Sequence, residues 1–117
     1  AGAVIDEPFW SPDLMVACAE LAGAKLPSSV VLDGKSPLPM LTQNVKSPHT
    51  SFFFQFRNHA ALRQGDWKFL ETSKGDQHLF NLAQDLHEKA DLKEQHPELF
   101  NDLRKRRDAL LKECLPK

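Results

Sequence analysis

Side chains able to hold an anion, ligate a metal or move a proton are scattered along this chain, and their spacing decides what they can do. Five histidines, His49, His59, His78, His87 and His96, raise metal binding first. None forms the H-x-x-x-H pair that sets two ligands on one helix face, and all five read as surface or strand-end residues. Arg63 and Lys68 are the candidate substrate-binding residues, because they fall on neighbouring strands of a hairpin and can form an anion-binding pair. The competing reading is cross-strand packing, with a salt bridge to Glu71 or Asp66, since a sheet face needs solvating groups anyway. Arg104 to Arg107 is a basic run, but four consecutive helical residues point in four directions. Asp102 and Asp108 flank it, and no aromatics stand nearby to stack bases. It reads as a solvated helix surface. Glu71, Asp76, Asp85 and Glu88 offer no acid–base pair. Ser28, Ser29 and Ser51 lack a G-x-S-x-G context, and there is no glycine-rich phosphate loop. No catalytic and no metal-ligating residue is assigned.

The elements that must position these groups are few. At 117 residues the chain is expected to be a single domain, 1–117, with a modest core. Apolar residues make up 41% and the formal net charge is −1, so nothing in the charge favours nucleic acid or an anionic membrane. No apolar run reaches the length of a membrane span, and Ala1 to Asp6 lacks the basic start and apolar stretch of a signal peptide. No nucleic-acid or membrane partner is expected. Cys18 and Cys114 are each expected to pack as a small apolar group. A bond between them would tie the two ends together, and sequence leaves that open.

The spacing predicts an α+β fold: a small antiparallel sheet of about four strands (roughly 51–57, 59–64, 66–72 and 77–82), a C-terminal helix (about 97–114) and a short N-terminal helix (about 11–22). Phe52, Phe54 and Phe56 alternate with Phe53, Gln55 and Arg57, the period of a strand. Gly65 and Gly75 mark two tight turns. In the first helix Ser11 is the expected cap, Pro12 suits the first turn and Asp13 suits the positive end of the dipole. Leu14, Ala17, Cys18 and Leu21 then form the stripe expected to be buried. Gly23 ends that helix. Residues 27–46 read as a crossing segment anchored by Val30, Leu32, Leu38 and Leu41, with one helical turn at Leu38 to Leu41. Leu86 and Leu92 are expected to anchor the polar stretch after the sheet. Leu99, Phe100, Leu103, Leu110, Leu111 and Cys114 face one way on the last helix, with a break at Arg106 and Arg107, and Pro116 is expected to end it. The Phe-rich strand is most simply core; a hydrophobic ligand groove is the rival reading.

Ala61-Leu62-Arg63-Gln64-Gly65-Asp66-Trp67-Lys68-Phe69, followed by Leu79-Phe80-Asn81-Leu82, resembles the C-terminal subdomain of formylglycine-type sulfatases, which commonly read A-V-R-x-G-x-W-K and then L-Y-D-L. The resemblance is collinear over nearly the whole chain. Asp13, Leu14, Leu21, Ala22 and Gly23, then Leu26-Pro27, match the family's D-L-x-P-T-L-L-x-L-A-G and L-P. Asp33-Gly34 with Leu38-Pro39 and Leu41 resembles D-G-x-x-L-x-P-L-L. Asp85, Glu88 and Leu92 resemble D-P-x-E-x-x-N-L, and His96-Pro97-Glu98 resembles the start of the terminal helix. The chain departs from the pattern at Trp10, Val16, Ala17, Leu86 and Asp91.

The resemblance implies a non-catalytic C-terminal portion of a sulfuric ester hydrolase, which packs on a catalytic domain and helps shape its substrate pocket. In such enzymes the Cys of C-x-P-S-R or C-x-A-S-R becomes the formylglycine nucleophile, and aspartates and an Asn hold calcium. Neither Cys18 nor Cys114 has that context. No cofactor is therefore expected in this chain, calcium and formylglycine belonging to the catalytic domain, which would also be its partner. The chain alone is expected to be inactive. The family is often periplasmic, secreted or lysosomal, and this chain carries no signal that chooses among them. The alternative is a free-standing small interaction or ligand-binding protein derived from such a tail, acting as a homo-oligomer. An autonomous hydrolase would need a nucleophile and base that the sequence does not offer.

Overall fold

The computed structural model describes residue 2 and residues 4–114. They fall into two compact units, Ala1–Thr50 and Ser51–Lys117.

The second unit holds the sheet. β1 (Phe52–Phe56), β2 (His59–Gln64), β3 (Trp67–Glu71) and β4 (Gln77–Asn81) form an antiparallel meander in the order β1-β2-β3-β4. All four lie where alternation and turn residues put them. Gly65 takes φ 57° in the β2–β3 turn and Gly75 φ 87° in the β3–β4 turn, the left-handed region that costs glycine least. Arg57 leaves the strand for the first turn at φ 53°.

Register aligns Phe53, Leu62, Phe69 and Leu79 across the sheet. Alternation puts these four on one face, and they meet the long helix α3 (Pro97–Cys114) there. Leu62, Phe69, Leu79 and Leu103 are the buried centre, with Phe53, Trp67, Leu99, Phe100 and Leu110 packed around them.

The expected break in the apolar face of α3 is a load of a different kind. Arg107 is 5% exposed. Its guanidinium stands 5.2 Å from the centre of the Phe69 ring and donates to Glu71 Oε1 at 3.3 Å and Oε2 at 2.5 Å. Arg106 donates to Gln64 Oε1 at 2.8 Å. The basic run is thus half used in docking the helix on the sheet, rather than being wholly a solvated surface. Cys114 is exposed, not packed, and Pro116 lies outside the described residues.

The outer edge of β4 is covered by the segment that follows it. Leu92 N–H donates to Leu79 O at 2.8 Å, and Asp91 Oδ1 accepts from Leu79 N–H at 3.1 Å. Pairing an edge in this way removes a template for association. Leu86, expected as an anchor, is 77% exposed. The segment is held instead by polar groups, since Asp85 accepts from the N–H groups of Lys89 and Ala90.

The first unit contains α1 (Ser11–Leu21) and α2 (Leu38–Gln43), the second close to the helical turn expected there. Gly23 follows α1 at φ 65°. The cap position of α1 is Trp10, not Ser11: Asp13 reaches back to accept the Trp10 N–H at 3.2 Å, which makes the serine the first helical residue. The buried face of α1 is Asp13, Val16 and Ala17, not the stripe Leu14, Ala17, Cys18 and Leu21. In α2 the anchor is Met40, with Pro37 one turn before it, while Val30 and Leu41 are exposed. A short helix presents one face, and the face shared at i, i+3 by Pro37 and Met40 is the one turned inward.

Candidate functional site

Two constellations bring candidate polar side chains together, one in each unit. On the sheet, register sets Phe52, Arg63, Lys68 and Phe80 in one row, on the face opposite α3. Arg63 and Lys68 are therefore direct cross-strand neighbours, as their spacing requires. Lys68 Nζ is 2.6 Å from Glu88 Oε1, so one of the two charges is already met. Arg63 Nε–H donates to Gly65 O at 3.0 Å, which turns the guanidinium along the hairpin. Among the described residues no carboxylate forms an ion pair with Arg63. Glu71, a candidate partner from the sequence, is taken by Arg107. What remains is a positive group on a half-buried sheet face, suited to an anion. The flanking Phe52 and Phe80 are buried.

Further along the same face, beside β1, is an open groove of about 400 Å³ lined by Phe54, Phe56, His59, Ala61 and Leu70 among others. Arg57 lies over the Phe56 ring, 5.2 Å from its centre.

The second constellation is invisible to motif spacing. Asp13, on the first turn of α1, has no exposed surface. Its Oδ1 accepts the Lys35 N–H at 2.8 Å and is 2.7 Å from His49 Nε2. Since a carboxylate only accepts, Nε2 carries the hydrogen. The His49 side chain is 5% exposed and meets the Trp10 ring edge-on at 5.5 Å, so it is not the surface histidine expected. Burial raises the Asp13 pKa, but the Lys35, His49 and Trp10 hydrogen bonds outweigh it and hold the carboxyl below its usual value. Lys35 Nζ donates to Pro48 O, and a Cβ on Gly34 would stand 2.4 Å from Pro12 O. The turn at residues 33–35 lies directly on the start of α1.

The carboxylate oxygens of Asp13 are spent on N–H donors, and among the described residues no group of three or more His, Cys, Asp or Glu side chains could hold a metal ion. Two other histidines make local contacts. His78 Nδ1 is 2.9 Å from Asp91 Oδ2, and His96 packs edge-on against Trp67. Cys18 is exposed, like Cys114. No helix among the described residues is long and apolar enough to cross a membrane.

Comparison with known proteins gives these positions a context. No family model matches the chain. It is 36% identical over 112 residues to human (Homo sapiens) arylsulfatase A, an alignment that takes in 90% of this chain and 22% of that protein. It is 36% identical over 66 residues to the arylsulfatase of Hemicentrotus pulcherrimus, covering 56% of this chain and 12% of that one. Among solved structures, that of Ps i-CgsB in complex with k-i-k-neocarrahexaose superposes with a TM-score of 0.77 at 28% identity, over 91% of this chain and 25% of the other. The chain thus spans a quarter or less of these proteins. Sequence and fold agree that this chain is related to the sulfatases over most of its length, consistent with a sulfatase C-terminal subdomain.

Proposed function

We propose that the chain is the non-catalytic C-terminal portion of a sulfatase-like sulfuric ester hydrolase, packing on a catalytic domain and helping to shape its substrate pocket. The observation that carries this reading is the match to human arylsulfatase A, which takes in nearly all of this chain and about a fifth of that protein. Within it, Arg63, with Lys68 beside it, is the group that faces an anion. The nucleophile and the calcium of such an enzyme would lie in the catalytic domain, which would be the partner.

The native reading frame tests this. It is expected to run upstream through a C-x-P-S-R or C-x-A-S-R segment, and the whole product is expected to release sulfate from an aryl sulfate while the 117-residue chain does not. Sulfate release by the pure chain, or a frame beginning near Ala1, would overturn it.

The groove beside β1 favours a second reading. Phe54 and Phe56 are 52% and 69% exposed there, as suits a free-standing ligand-binding or interaction protein derived from such a tail and acting as a homo-oligomer. That reading expects a reading frame of about this length and a defined oligomer at micromolar concentration.

A further inference from the structure

β4 ends the sheet, and both outward backbone groups of Leu79 are taken by the segment that follows it. Leu79 N–H donates to Asp91 Oδ1 at 3.1 Å, and Leu79 O accepts from Leu92 N–H at 2.8 Å. Lys93 Nζ donates to Gln77 O at 3.1 Å. Two side-chain pairs add to these: Asp91 Oδ2 lies 2.9 Å from His78 Nδ1, and Glu88 Oε1 lies 2.6 Å from Lys68 Nζ. Residues 83–93 are thus a strap across the edge of β4.

Polar groups hold the strap, and apolar burial contributes little to it. No residue from 83 to 93 is buried, and Leu86 is 77% exposed. The side chains that pair it to the sheet stay 24% to 36% exposed, so water screens them and each pair is weak. The strand beneath is different, with Leu79 fully buried and Phe80 6% exposed. A segment with accessible hydrogen bonds and few apolar contacts opens locally, well below the free energy of unfolding the sheet.

What an open strap uncovers is self-complementary. Leu79 offers its N–H and its C=O on one side, and a residue with both groups outward can form an antiparallel hydrogen-bonded pair with its own copy. A two-fold axis at Leu79 then sets Gln77 opposite Asn81 of the second copy, and His78 opposite Phe80. These two rings already stack within one strand, 5.9 Å apart. We propose that residues 83–93 are a releasable guard, latched by Asp91 and Glu88, over a homodimer site at the β4 edge where two copies of this chain pair antiparallel about Leu79. While latched, the strap outcompetes a second copy, because tethering supplies an effective concentration on the order of millimolar. Once it is released, the bare edge is a template for pairing. The inference stands on the second unit alone and holds under either reading of the function.

Two variants open the strap by different routes. Asp91→Ala with Glu88→Ala removes the latch, and Leu92→Pro removes the strap's backbone donor. Asp91→Asn is the control, because it keeps an oxygen for the Leu79 N–H. Each is followed by Leu79 amide exchange in dilute solution, by sedimentation velocity when concentrated, and by isotope-filtered NMR of mixed labelled and unlabelled chains. The opening variants are expected to exchange Leu79 at least tenfold faster. On concentration they are expected to double in mass and to show an Hα–Hα contact between His78 of one copy and Phe80 of the other. Wild type and Asp91→Asn are expected to show no such contact. Unchanged Leu79 exchange in both opening variants overturns the latch, and faster exchange without added mass overturns the dimer site. Added mass without the His78–Phe80 contact places the dimer elsewhere, and that contact in the wild type means that the strap guards nothing. Loss of near-UV circular dichroism in both opening variants makes the strap part of the core, which overturns the proposal too.

Discussion

His49 Nε2 lies 2.7 Å from Asp13 Oδ1, and the two side chains are the most buried ionisable contact of the first unit. One comes from the first turn of a helix and the other from the end of a long irregular segment. Between them they close the unit around Trp10, Gly34 and Lys35. Its apolar core is small, with Val16, Ala17 and Met40 buried, so hydrogen bonds carry an unusual share of its order.

Asp13→Ala should therefore destabilise the first unit by about 3 kcal/mol, because two backbone N–H groups and a buried imidazole lose their acceptor together. Urea unfolding followed by tryptophan fluorescence in a Trp67→Phe background, which leaves Trp10 as the reporter, measures it. Asp13→Asn keeps one acceptor oxygen and should cost less. A loss below about 0.5 kcal/mol for the alanine variant, the range of ordinary surface changes, would show that the knot is not structural.

Acid should weaken both units in the same direction. Asp13 and Asp91 are held below the ordinary carboxylate value: burial opposes this, and hydrogen bonds from Lys35, His49 and Trp10, or from Leu79, Lys93 and His78, outweigh it. A lowered folded-state pKa contributes stability that is complete above the unfolded value of about 3.9 and is lost as pH falls through the folded value. Melting temperature should hardly respond to these two groups above pH 5 and should drop steeply below pH 4. Asp91→Asn should flatten part of that drop in the sheet unit. An unchanged acid limb in both Asp13→Asn and Asp91→Asn would refute the assignment.

Two glycines should respond to alanine for different reasons. At Gly34 the new Cβ would meet Pro12 O at 2.4 Å. The obstacle is backbone, so the turn must move and the Lys35 bond to Asp13 must lengthen. Gly65 has open space but φ 57°, where alanine pays about 1–2 kcal/mol. Gly34→Ala should be the more damaging of the two by denaturant midpoint, and Gly34→Ala with Asp13→Ala should be less than additive.

Arg107 should be sensitive to truncation and tolerant of paired replacement. Arg107→Ala leaves Glu71 without its buried partner and Phe69 without its cover, at a cost of about 3–5 kcal/mol. Arg107→Met with Glu71→Gln restores volume and removes both charges, and should recover most of that loss. A double-mutant cycle by urea unfolding reads the coupling. Coupling near zero would mean that the guanidinium contributes by packing on Phe69 alone.

The order and type of the elements were legible in the sequence because they follow from local rules. Alternation marks β1, glycine marks the turns at Gly65 and Gly75, and the leucine spacing marks α3. Arg63 and Lys68 could be placed opposite each other for the same reason, since one tight turn fixes hairpin register. The long-range contacts inside each unit were not legible. Asp13 and His49 are 36 positions apart, as are Glu71 and Arg107, and no local pattern distinguishes a partner at that range from a solvated charge. The same limit hid the roll of α1. Its residues are apolar on both sides; periodicity picked out the stripe Leu14, Ala17, Cys18 and Leu21, whereas the structure buries Asp13, Val16 and Ala17. The choice was made by the one carboxylate whose buried hydrogen bonds the helix could not give up.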